Sequence, residues 1–203
     1  MHRSNKNIVL MMEKATSAVF YVRGVIWYLI LIGSILWKYL DGGITPTPLF
    51  VTGLGIVFLM EAFRIYTAGY LHGQHPVARV QADFLCCAGP FGHLRNPLYV
   101  ANMLRGIGIC IAINEWYAYV LFITINSLVF AIIIPYEERF LEEKFGDAYR
   151  QYKNVTRRLL PRLKAYEAQE KIIPSFWSSL RSELPTLILL SILLAVIYMT
   201  FVA

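Results

Sequence analysis

The stretch LYVANMLRGIGICIAINEWYAYVLFITINSLVFAIIIPYEERF, residues 98–140, decides the fold. Its first part, Leu98 to Ile113, carries one charge, Arg105, and is otherwise a nearly unbroken apolar run. Asn114-Glu115-Trp116 interrupts it, and a second apolar run continues to about Pro135. The two runs predict a tight helical hairpin. The first is short against the ~20 apolar residues that cross a bilayer as a helix. Charge returns at once after Pro135, with Glu137-Glu138-Arg139.

The rest of the chain repeats this character. Of its 203 residues 57% are hydrophobic and 16% charged, where an ordinary soluble domain has roughly 25% charged. So much apolar side chain cannot be placed inside a solvated globule of this size. The 9 prolines and 13 glycines follow no period, which excludes a fibrous chain. We therefore expect an all-α integral membrane protein with about five transmembrane helices. Besides the hairpin, spans are expected from about Ala18 to Leu40, Leu49 to Leu71 and Leu184 to Ala203. The first is too long for a signal-peptide core and lacks a small-residue cleavage site, so it is read as a span.

Charge gives the orientation. Alternating five spans puts the N-terminal residues, the 72–96 loop and the polar 136–182 stretch on one side. That side holds Arg3, Lys6, Lys14, Arg79, Arg95 and every Lys and Arg from Arg139 to Arg181, while the other holds little beyond Lys38. By the positive-inside rule those segments are cytosolic. The net charge of +6 reports topology and contact with anionic lipid; no basic stripe points to nucleic acid. Three cysteines make no disulfide framework.

Within the polar stretch, Leu141, Phe145, Ala148, Tyr149 and Tyr152 form one apolar stripe of an amphipathic helix. Ile172, Ile173, Phe176, Trp177 and Leu180 suggest an interfacial helix ahead of the last span. The chain thus divides into N-terminal hairpin spans (1–71), a core (72–161), and an interfacial helix with the C-terminal span (162–203).

Charges inside spans are costly and need partners or water. Glu61 and Arg64, three residues apart, can pair on one helix face, and Arg105 lies about two turns into its span. Two readings stand: an intrahelical ion pair with a snorkelling arginine, or a polar cavity between the second and third spans that opens to the cytosol. His72, His75, Cys86, Cys87 and His93 share a loop, but their spacing fits no zinc pattern, so no metal is expected.

Arg95 stands just before Pro97, beside a helix N-terminus, where free N–H groups and a guanidinium can converge on an anion. The hairpin brings Glu137 and Glu138 out on the same side, one helix diameter away. Glutamates are a poor choice for a mere anchor at that boundary. An arginine, carboxylates and tyrosines together can hold a zwitterionic ligand with a hydroxylated ring.

Two motifs carry a resemblance. The first is Gly89-Pro90-Phe91 followed by Arg95-Asn96-Pro97 and Tyr99; the second is Glu137-Glu138, Leu141, Phe145-Gly146, Tyr149, Tyr152 and Arg158 with Pro161. In this order, across a helical hairpin, they resemble the isoprenylcysteine carboxyl methyltransferase family and the related phospholipid methyltransferases. The likeness covers about residues 89–161. Asn96 stands where that family usually has histidine and Ala101 where it usually has glycine; asparagine donates a hydrogen bond but carries no positive charge.

The resemblance implies S-adenosylmethionine as cofactor in a cytosolic pocket, and a lipophilic acceptor, of isoprenylcysteine carboxylate type, that arrives from the bilayer as a membrane lipid or lipidated substrate. By position, Arg95 and Asn96 would contact the methionyl carboxylate or nearby polar groups, and Tyr99 would line the pocket. Glu137 and Glu138 would take the ribose hydroxyls or the amino group. Tyr149 and Tyr152 would close over the cofactor, and Arg158 would dock an anionic acceptor headgroup. Competing readings are methylation of a phospholipid amine or a thiol, an NADPH-dependent membrane reductase, and a non-catalytic membrane subunit.

Overall fold

The computed structural model describes residue 26 and residues 29–71, 82–167 and 172–202. Helix α1 covers residues 29–41; most of the first half of the span expected from Ala18 lies outside the described residues. Then follow α2 (Thr47–Gly69), α3 (Pro90–His93), α4 (Pro97–Ile113), α5 (Trp116–Val155) and α6 (Phe176–Phe201). Among the described residues there is no strand beyond two isolated bridges, Thr45 with Val202 and Leu94 with Arg157.

The apolar runs become helices because an α-helix satisfies its own backbone polar groups, which lipid cannot do. Helices α2, α5 and α6 are long and apolar enough to cross a membrane, and α4, at 17 residues, is shorter. Their outer faces stay apolar: Val51, Phe58 and Leu59 on α2, Leu128 and Ile132 on α5, and Ile188 and Ile192 on α6 are all exposed. The molecule is an integral membrane protein whose lipid-facing surface is its least buried hydrophobic surface.

Small residues bring α2 and α4 together. A Cβ on Gly53 would lie 2.5 Å from the Gly108 carbonyl oxygen and 2.7 Å from the Ala112 nitrogen. Such close approach is how helices gain packing where no hydrophobic effect drives them together. Phe50, Val57, Ile109, Ile113, Phe122 and Ile197 fill the core between α2, α4, α5 and α6.

The end of the bundle near Lys38 is fastened by polar groups. Lys38 is buried and donates to the Ile113 carbonyl at 2.6 Å, and Thr45 donates to the same oxygen at 3.1 Å. These satisfy the open C-terminus of α4, where cationic groups are favoured. Lys38 also meets Glu115 at 3.3 Å, and the Thr45 N–H donates to the Phe201 carbonyl at 2.8 Å.

Two expectations about the polar stretch are corrected. The amphipathic stripe from Leu141 to Tyr152 does not lie on one helix, because Gly146 adopts φ 54° and turns the chain there. The helix instead leaves the hairpin without a break and runs past Pro135 and Glu138 to that glycine. The interfacial helix expected around Ile172–Leu180 is not separate either: residues 172–175 are not helical and α6 is continuous from Phe176 through Pro185.

Candidate functional site

The two motifs are tied together by backbone. Arg95 N–H donates to the Arg157 carbonyl at 2.9 Å and Asn96 N–H to the Arg158 carbonyl at 3.2 Å. Further along, Arg162 N–H reaches the His93 carbonyl at 3.0 Å and Tyr166 N–H the Gly92 carbonyl at 2.8 Å. Segment 92–96, ahead of α4, therefore lies along segment 157–166, which follows α5. Gly89 makes the turn into α3: its φ is 56°, and a Cβ there would fall within 2.4 Å of the Tyr70 ring.

This ribbon places Arg95 and Arg158 on either side of Glu138. Arg95 Nε donates to Glu138 Oε1 at 2.9 Å. Arg158 Nη2 donates to Oε2 at 2.6 Å and its Nε to Oε1 at 3.1 Å. Arg95 also caps the end of α5 by donating from Nη1 to the carbonyls of Lys153, at 2.9 Å, and Thr156. Arg95 and Glu138 are thus linked to each other as well as brought to one end of the hairpin. The Glu138 side chain is 5% exposed and that of Arg158 is 47% exposed, so the triad opens to solvent through Arg158.

Burial pushes the Glu138 carboxyl upward, but hydrogen bonds from Arg158 and Arg95 and their positive charge outweigh it. The net result holds the group below its usual range. Glu138 therefore stays ionised at neutral pH. The same hydrogen bond raises the Arg158 guanidinium.

The remaining candidates surround the triad. Asn96 donates from Nδ2 to the Arg158 carbonyl at 3.1 Å, so its amide helps hold the ribbon. Tyr99 donates to Glu137 Oε1 at 2.8 Å, and its ring stands edge-on to Phe130. The kink at Gly146 turns Tyr149 and Tyr152 inward, where they pack with Cys87 beneath Phe145 and Tyr166. Tyr152 donates to the Phe91 carbonyl at 2.6 Å. Tyr149 is 1% exposed and its hydroxyl has no partner among the described residues. Burial raises both phenols, so neither ionises near neutrality.

Burial also pushes the Cys86 thiol up to about 11 and the Cys87 thiol up to about 12. They are poor nucleophiles and poor metal ligands in that state. Among the described residues no three His, Cys, Asp or Glu side chains group as metal ligands; His72 and His75 lie outside them.

The charges inside the bundle pair between helices. Arg105 Nη1 donates to Glu61 Oε2 at 2.5 Å, and Arg64 Nη2 donates to Glu183 Oε1 at 2.6 Å, while the Glu61–Arg64 approach along α2 is a looser 3.9 Å. Arg64 also bonds Asn102. Arg64, Asn102 and Arg105 line a cavity of about 180 Å³ that Tyr99 borders as well. Sequence reasoning missed Glu183 and Asn102. The sign available was position: Tyr99, Asn102 and Arg105 follow at three-residue intervals, so each polar residue neighbours the next along α4.

Comparison with known proteins adds the following. A family profile described as phospholipid methyltransferase matches residues 47–148, which run from the start of α2 to just past the Gly146 kink. The chain is also 30% identical, over 129 residues and 63% of its length, to the cobalt-zinc-cadmium resistance protein CzcN of Cupriavidus metallidurans. It spans about half, 56%, of that relative's length. No solved structure matches.

Proposed function

Since the chain belongs to the phospholipid methyltransferase family, we propose that it transfers a methyl group from S-adenosylmethionine to a lipophilic acceptor held in the membrane. The observation that carries this is the Arg95–Glu138–Arg158 triad, an ionised cluster with one half-exposed arginine at the mouth of an apolar helical bundle.

The residues present fit that cofactor in kind. Arg158 has an exposed guanidinium face for a carboxylate, and Arg95 adds fixed positive charge behind it. Glu138 and Glu137 offer acceptor oxygens to an ammonium or to ribose hydroxyls, and each carboxylate oxygen can accept more than one hydrogen bond. The buried Tyr149 hydroxyl, which has no hydrogen-bond partner among the described residues, is a further donor beside the triad. When bound, S-adenosylmethionine supplies an electrophilic methyl group on a sulfonium. The chain's own work is then to bind, align and exclude water, for which proximity and shielding suffice. In this reading the site faces the cytosol, in a multi-pass protein of about five spans.

The acceptor we favour carries a carboxylate of isoprenylcysteine type; in this reading the donor's carboxylate, rather than the acceptor's, takes Arg158. Such an acceptor arrives already ionised, so no side chain has to remove a proton from it. A phospholipid amine is the second reading, favoured by the family's own description. The metal resistance in the relative's name belongs to that protein.

Purified protein should bind S-adenosylhomocysteine and not NADPH in a calorimetric titration. Binding of NADPH alone would replace this reading with a reductase, and binding of neither would leave a non-catalytic subunit. Membranes supplied with methyl-labelled S-adenosylmethionine should then incorporate label into the lipid extract.

A further inference from the structure

The cavity beneath Tyr99 lies apart from the mouth. Its polar lining is Arg64, Tyr99, Asn102, Arg105, Asn126 and Thr186, contributed by α2, α4, α5 and α6. Ile125 and Val129 on α5, with Leu190 and Leu193 on α6, make an apolar wall. The site is therefore amphipathic and sits within the helices that form the apolar bundle. Along α4 it extends from Tyr99 to Ile109, roughly 15 Å at the helical rise per residue.

Charge decides what can enter. The two arginines on the wall are each paired, Arg105 with Glu61 at 2.5 Å and Arg64 with Glu183 at 2.6 Å. Among the described residues the network contains two cations and two anions, so it is balanced before anything binds. A carboxylate or an ammonium would add an unmatched charge to a largely enclosed space, where it is disfavoured. An uncharged polar group escapes that cost. Pairing does not exhaust the lining: Arg64 and Arg105 keep part of their side chains exposed and border the space, and the Asn102 amide beside them can both donate and accept. Guanidinium donors beside an amide suit a group that both accepts and donates, which describes a hydroxyl. At about 180 Å³ the space is comparable to a cavity of ~150 Å³ that holds a benzene-sized ligand.

We propose that this cavity is a binding site for an uncharged, hydroxyl-bearing amphiphile, its hydroxyl among Arg64, Asn102 and Arg105 and its chain against α5 and α6. The site is distinct from the Arg95–Glu138–Arg158 triad and does not depend on the methyl-transfer reading. Tyr99 is its boundary with the triad, since the same side chain lines the cavity and bonds Glu137.

The test uses the full chain in phosphatidylcholine nanodiscs at pH 8, with diazirine-bearing octanol, octanoate and octylamine as probes and mass spectrometry to locate the label. Octanol should label Ile125, Val129, Leu190 or Leu193, unlabelled octanol should displace it, and the charged probes should label those positions about tenfold less or weaker. Leu193→Phe, which narrows the cavity with an apolar group, should reduce the labelling severalfold. Equal labelling by all three probes would overturn the proposal. So would label confined to outward residues such as Leu128 and Ile192, or no label in the cavity, which would then hold water only. S-adenosylhomocysteine binding measured on the same preparation keeps the two readings apart, since either can fail while the other stands.

Discussion

Two ion clusters lie along the course of α4, one at its start and one about two turns in, and their difference in charge parity separates their roles. At the mouth, Glu138 lies between Arg95 and Arg158, a three-member cluster with an excess of positive charge and one half-exposed arginine. Inside the bundle, Glu61 and Glu183 match Arg105 and Arg64 one for one, and none of the four side chains is more than 14% exposed. The odd, open cluster retains charge to offer an anionic ligand. The even, enclosed one has none, and its main energetic task is to let four charges exist inside a membrane protein.

Breaking the parity inside should have the largest effect. Glu61→Leu leaves Arg105 without its carboxylate in an enclosed site, at an expected cost of about 3–5 kcal/mol. Adding Arg105→Leu should recover most of the loss, since a balanced apolar pair replaces a balanced ionic one. Denaturant unfolding in detergent micelles measures both, and an undiminished loss in the double variant would show that the pair is not what carries the cost.

Next comes the packing that sets the two clusters' spacing. Gly53→Ala would push into the Gly108 carbonyl across the α2–α4 contact, and we expect about 1–3 kcal/mol of destabilisation by the same measurement. Gly55→Ala, where a Cβ meets nothing within 4 Å, should be close to neutral.

At the mouth, Glu138→Gln keeps the size and removes the charge, and should cost about 1–3 kcal/mol at neutral pH. The sign of its pH dependence follows from the lowered carboxyl. The stability supplied by ionised Glu138 is present above the carboxyl's unfolded value, about 4.3, and is lost as pH falls through the lower folded value. The gap in unfolding midpoint between the native protein and Glu138→Gln should therefore close on acidification below about pH 4. A gap unchanged by pH would contradict the ionic account.

The smallest effect is expected at Asn96. Its side chain works as a hydrogen-bond donor to the Arg158 carbonyl, and a histidine ring N–H can do the same. Asn96→His should leave activity within a few-fold of native, with a flat profile through pH 6.5, the ordinary histidine value. Activity that rises as pH falls through that value would assign the position a charge role instead.

These contrasts also show how much the sequence discloses. The hairpin was legible because two apolar runs meet at Asn114-Glu115-Trp116, and hairpin topology alone sends residues 95 and 138 to one end. The stripe from Leu141 to Tyr152 misled because its spacing is helical on paper, whereas Gly146 takes a backbone conformation that breaks the periodicity. The ribbon of residues 92–96 against 157–166 left no pattern to read, since its bonds are mainly backbone to backbone and join residues about sixty to seventy-five positions apart. Glu183 escaped notice for a similar reason: its partner Arg64 lies 119 positions away, so neither residue signals the other.

The central claim is that the mouth binds the methyl donor while the interior network does not. Calorimetric affinity for S-adenosylmethionine in Arg158→Ala and in the balanced Glu61→Leu/Arg105→Leu variant tests it most directly. The account predicts a loss of about tenfold or more, some 1.4 kcal/mol, in the first, and affinity within about twofold of native in the second. Native affinity in Arg158→Ala together with lost affinity in a folded Glu61→Leu/Arg105→Leu protein would contradict it.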